Sequence, residues 1–138
     1  MMIFGSFGAF AGQKEFTPLT KYLQTEDPND PFTWEFIAKR CSAIQLTLSA
    51  RWFPEDSEQK KLSESAYKFY ADAAVNARLA KLPDEDEDKV TITIIKDILS
   101  LVDPLDEIMK DNQNKSGSLF LDSWIEDDMM VCSNLLKS

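Results

Sequence analysis

The 138-residue chain contains no histidine. That absence removes His-based catalytic triads, imidazole-ligated zinc and Glu-x-x-His di-iron sites from consideration. Glycine is scarce too, and four residues cannot supply a dinucleotide-binding or P-loop fingerprint. No stretch reaches the ~20 apolar residues that a membrane span needs. Positive charge is in deficit, with 15 Lys and Arg against 24 Asp and Glu, a net −9. Such a balance argues against a nucleic-acid partner, because that binding draws on cations placed at phosphates. Cysteine is limited to Cys41 and Cys132, with no C-x-x-C and no histidine to activate a thiol. What remains is 43% hydrophobic and 28% charged, the composition of one ordinary globular domain.

The negative charge is confined to one part of the chain. Residues 1–81 carry 10 basic and 10 acidic side chains, whereas residues 82–138 carry 5 and 14. The excess comes mainly from Asp84, Glu85, Asp86, Glu87 and Asp88, and from Glu126, Asp127 and Asp128. Two readings compete. These acids form a negative surface that steers a basic partner or holds divalent cations, or they favour the helix starts and solvated faces they occupy. The tract follows Pro83 and precedes an apolar periodic run, which is where a helix begins. An EF-hand is excluded, because the tract lacks D-x-[DN]-x-[DN]-G.

Residues 1–12 read as an apolar N-terminal arm or a residual signal segment. Ala9-Phe10-Ala11 has the A-x-A form that precedes signal-peptidase cleavage, but no basic residue starts the segment. The helical bundle domain is assigned to 13–138. Lys14–Gln24 predicts a short helix starting near Thr17-Pro18. Asp30-Pro31 then reads as an N-cap followed by proline at the first helical position. Trp34, Ile37, Cys41, Ile44, Leu48 and Trp52 recur at spacings of three and four, so a helix is predicted over 31–53. A second, over 57–82, is capped by Ser57 with an inner stripe of Leu62, Ala66, Phe69, Ala73, Asn76 and Ala80. Residues 90–94 alternate like a strand, yet Ile94, Ile98, Leu101, Leu105 and Ile108 carry helical spacing onward. A helix over 87–111 follows, with a kink or break expected at Pro104. Asn112–Ser118 reads as a loop. Ser118 opens the last helix, 118–136, with Leu121, Ile125, Met129, Cys132 and Leu136 inward. The fold class is therefore all-α: a single-domain irregular bundle of four main helices plus a short N-terminal helix or arm.

Each cysteine falls on the apolar stripe of its own helix. If the first long helix and the last are neighbours, Cys41 and Cys132 can form a disulfide; otherwise they are small core hydrophobes. The three tryptophans, Trp34, Trp52 and Trp124, read as core rather than as an aromatic pocket. Lys39-Arg40 and Arg51 make a small basic patch, for which pairing with the acidic half is the plain explanation. Gly-x-Ser-x-Gly and S-x-x-K are absent, and of the carboxylates only Asp97 and Asp122 fall near predicted stripes. No catalytic, metal or cofactor signature results. One cysteine in an early amphipathic helix and another in a terminal one (Asp128-x-x-x-Cys132) resembles small exported bacterial helical proteins. That resemblance covers two short segments and implies no functional residue.

The expectation is a non-enzymatic protein-interaction bundle, of inhibitor or immunity type, that binds another, basic protein and is periplasmic or secreted. The alternative is a cytoplasmic, self-associating phage or accessory protein, a homodimer exchanging its apolar arm. An enzyme with an unrecognised carboxylate site ranks below both.

Overall fold

The computed structural model describes residues 16–120 and 123–136. The arm and signal readings of residues 1–12 lie outside these, as do Leu121 and Asp122. The described residues form five helices and no strand. These are α1 (Leu19–Thr25), α2 (Pro31–Thr47, continued by a π turn at Leu48–Trp52), α3 (Glu58–Lys81), α4 (Glu87–Ser116) and α5 (Trp124–Leu136).

Helix α2 is the axis of the bundle. Asp30 accepts a hydrogen bond from the Phe32 N–H and Pro31 takes the first turn, as the sequence indicates. Its predicted stripe is buried at Ile37, Cys41, Ile44 and Leu48, while Trp34 and Trp52 are half-buried. Burial then continues round the helix to Thr33, Glu35, Ala38, Arg40, Ser42 and Ala43, because α3, α4 and α5 all pack on it. A helix packed over so much of its circumference must bury polar residues with their partners. That requirement produces the ion pairs described below. The π turn closes with Phe53 N–H donating to the Leu48 carbonyl, and Lys60 Nζ donates to the Ser49 carbonyl at 2.6 Å.

Helix α3 starts at Ser57, whose hydroxyl accepts from the Lys60 N–H. Its inward face is turned by about one residue from the predicted stripe. Ser63, Tyr70, Ala71, Ala74 and Val75 are buried, whereas Leu62 is 66% and Phe69 47% exposed, and Asn76 and Ala80 are exposed as well. Neighbouring positions on this alanine-rich helix are almost equally apolar. Tyr70 breaks the tie by donating its hydroxyl to the Cys132 carbonyl at 2.6 Å.

Helix α4 is helical from Glu87, with the Asp86 carboxylate accepting from the Asp88 N–H. The strand-like stretch 90–94 belongs to it, and it runs unbroken through Pro104. Buried Val102 and Leu105 on either side, and Arg51 paired with both Asp103 and Asp106, hold the backbone helical there. The predicted loop Asn112–Ser118 is helical as far as Ser116. The true stop is Gly117, at φ +78°, the left-handed cap that glycine adopts without strain. Ser118 therefore sits in the following turn, and the last helix begins at Trp124.

Two apolar clusters result. The larger joins Ile44, Leu48, Ala74, Ile94, Ile98, Leu105, Met109 and Ile125 from α2 to α5. The smaller gathers Leu19, Ile37 and Tyr70 around the two cysteines.

Candidate functional site

The sulfurs of Cys41 and Cys132 stand at disulfide-bonding distance, 2.02 Å, with Cα atoms 5.6 Å apart. Both residues are at most 3% exposed, so the link is a core staple between α2 and α5. It leaves no thiol for nucleophilic chemistry among the described residues.

The predicted acidic surface separates into parts with different roles. Asp84 to Asp88 are all exposed at the corner between α3 and α4. Asp86 caps α4, Glu87 and Asp88 lie in its first turn, and Glu85 accepts from Arg78 Nε at 3.0 Å. No described cation lies within ion-pair distance of Asp84, Asp86, Glu87 or Asp88. Glu126 and Asp127 are exposed in the first turn of α5, on a different element.

Asp128 corrects the expectation, because it does not belong to the surface at all. Its side chain is 0% exposed and pairs with Arg40, itself 4% exposed, at 2.7 Å. The other carboxylate oxygen accepts the Leu19 N–H at 2.7 Å. Pro18 offers α1 no side-chain cap, so Asp128 supplies from another helix the anion that an α-helix start favours. Arg40 donates in addition to the Thr17 carbonyl and lies between the rings of Phe16, Phe36 and Trp124, 4.9–5.5 Å from their centroids. Burial pushes the Asp128 carboxyl above the usual carboxylate range, against the pull of its two hydrogen bonds. The same burial lowers Arg40.

The basic patch is likewise dispersed into pairs with the acidic half. Lys39 reaches Asp97 at 2.9 Å, and Arg51 spans Asp103 and Asp106. Asp97, half-buried, thus shares the Lys39 ammonium with the carboxylate of Glu35.

A site that sequence reasoning missed lies at the end of the bundle next to the acidic corner. Tyr22 of α1, Phe32, Glu35, Phe36 and Lys39 of α2, and Arg78 of α3 line a cleft of about 330 Å³. That volume is at the lower end of the ~300–1,000 Å³ typical of ligand pockets. Tyr22 and Phe36 stack with centroids 4.1 Å apart, forming an aromatic wall. Glu35 is the central charge, with its side chain nine-tenths buried. Its Oε2 accepts from Lys39 at 2.9 Å and lies 3.8 Å from Arg78. Its Oε1 is buried without any hydrogen-bond partner. Burial works to lower the Lys39 ammonium, yet its hydrogen bonds to Asp97 and Glu35 prevail and hold it above the ordinary lysine value. Arg78 is raised chiefly by its hydrogen bond to Glu85. Both cations therefore stay charged and engaged. The available signal in the sequence was Glu35 and Lys39 at i, i+4, an acid and a base placed to pair among the aromatics of Phe32-Thr33-Trp34-Glu35-Phe36.

Comparison of the chain with protein-family models, with curated proteins and with solved structures yields no match. Among the described residues no helix is long and apolar enough to cross a membrane.

Proposed function

We propose that the protein is an exported, non-enzymatic interaction protein of inhibitor or immunity type, recognising a basic protein through its acidic α3–α4 corner. One observation carries this reading. The carboxylates of Asp84, Asp86, Glu87 and Asp88 are exposed and lack cation partners among the described residues, whereas Asp97, Asp103, Asp106 and Asp128 are paired with Lys39, Arg51 and Arg40. Carboxylates left without intramolecular partners project a negative field that steers a cationic surface and adds to its docking specificity. The Cys41–Cys132 staple supports the exported assignment, since disulfides persist in oxidising compartments.

The test is affinity capture from a non-cytoplasmic extract of the source cells, using the native protein and a D84N/E87Q/D88N variant as paired baits. Asp86 is kept because it caps α4. A basic protein held by the native bait, released at high salt and absent from the variant bait supports the reading. Equal capture by both baits, or no capture by either, overturns it.

A further inference from the structure

We infer that the cleft beside Glu35 is a receptor for one guanidinium group, an arginine side chain presented by the basic partner. The inference rests on the acidic-corner reading only for the source of that arginine. The chemistry follows from what the cleft lacks. Three carboxylates meet there, Glu35, Glu85 and Asp97, against two cations, Lys39 and Arg78. Each cation already contacts two of these carboxylates. The local sum is one negative charge, and the atom without a partner is an acceptor, Glu35 Oε1. A buried carboxylate oxygen without a donor is costly, and the group that satisfies both the charge and the lone pair is a cationic donor. An anionic ligand would instead have to displace a carboxylate already bonded to Lys39 or Arg78.

The walls select among cations. Phe32 and Phe36 are 39% and 36% exposed; Phe36 stacks on Tyr22 and lies 5.5 Å from the Arg40 guanidinium, and Lys81 Nζ stands 5.5 Å from the Phe32 ring centroid. A planar guanidinium stacks on such rings while keeping its edge free to donate, which an ammonium does less well. Within this fold three rings surround the Arg40 guanidinium, whereas the Lys81 ammonium stands over one, Phe32. Arg78, one wall of the cleft, is held by Glu85 of the acidic corner, so corner and cleft share a surface. A basic partner drawn to the corner arrives with its arginines next to the opening.

The experiment titrates N-acetyl-L-arginine methylamide into the isotopically labelled native protein and follows backbone amide shifts. Saturable shifts at residues 32–39 and at Arg78 are expected. The Glu35→Gln variant, which keeps the volume and loses the charge, should bind at least about tenfold more weakly, the worth of one charge-assisted hydrogen bond. Phe32→Ala, at an exposed position, should weaken binding severalfold without unfolding the protein, and so serves if Glu35→Gln misfolds. The lysine and norleucine analogues should bind more weakly than the arginine probe. Absence of saturable shifts, equal binding by Glu35→Gln and native protein, or a lysine analogue as tight as arginine overturns the inference. Because the probe has no partner surface, the two readings fail separately. Probe binding that survives D84N/E87Q/D88N leaves the cleft standing if the corner fails. Capture of a salt-sensitive partner together with a probe indifferent to Glu35→Gln leaves the corner standing without the cleft.

Discussion

Replacing Asp128 by alanine tests whether α1 is held to the bundle by a buried charge. The carboxylate is fully buried and has two jobs, pairing with Arg40 at 2.7 Å and accepting the Leu19 N–H at 2.7 Å. Its removal strands a guanidinium that is only 4% exposed, and breaking a buried pair in this way costs about 3–5 kcal/mol. The uncapped α1 start adds about 1 kcal/mol. Asp128→Ala should therefore lose about 4–6 kcal/mol in urea denaturation at neutral pH. The double variant Arg40→Met with Asp128→Leu should recover much of this, because well-packed apolar side chains in place of a buried pair are often neutral. Amide exchange should localise the damage, with α1 amides losing protection before those of α3. An Asp128→Ala cost below about 1 kcal/mol, the worth of an exposed pair, would refute the argument.

Two further outcomes follow from the same core. Burial pushes the Tyr70 phenol up to about 12 from the ordinary 10.0, so folding holds its proton. The resulting stability is fully present below pH 10.0 and is lost as pH rises through about 12. An ultraviolet titration should show Tyr70 ionising only as helical circular dichroism is lost, and Tyr70→Phe should remove that late step; early ionisation of all three tyrosines would count against it. Replacing both Cys41 and Cys132 by alanine opens a link across 91 residues. In the chain-entropy model that costs about 4–5 kcal/mol, a large share of the ~5–15 kcal/mol of a typical domain. Thermal unfolding of native and variant protein measures it, and coincident midpoints would show that the staple contributes nothing.

Much of the fold was legible because strong periodicity and punctuation agreed. Asp30-Pro31, Ser57 and Asp86 start helices where side-chain oxygens can accept from the first turn. The cysteines were legible as a candidate pair because both sit on inner stripes. Other features were decided by tertiary contacts that no local pattern records. The face of α3 was set by Tyr70 meeting Cys132, not by Leu62 or Phe69. Pro104 was tolerated because Val102 and Leu105 bury on either side of it. Polar Asn112–Ser116 stayed helical since glycine, not polarity, marked the end. Asp128 looked like one more acid in a run of three, and only its position opposite Arg40 and Leu19 makes it a core residue. Glu35 was overlooked for the complementary reason, since its i, i+4 pairing with Lys39 lies on a helix dominated by apolar spacing.

The assignment to an oxidising compartment, and with it the reading of an exported, stapled interaction bundle, is most directly tested by peptide mapping of the protein from its own cells. Free thiols are blocked at lysis and the digest is run without reductant. One cross-linked species joining the peptides that contain Cys41 and Cys132 is expected. Recovery of both cysteines as blocked free thiols would contradict it.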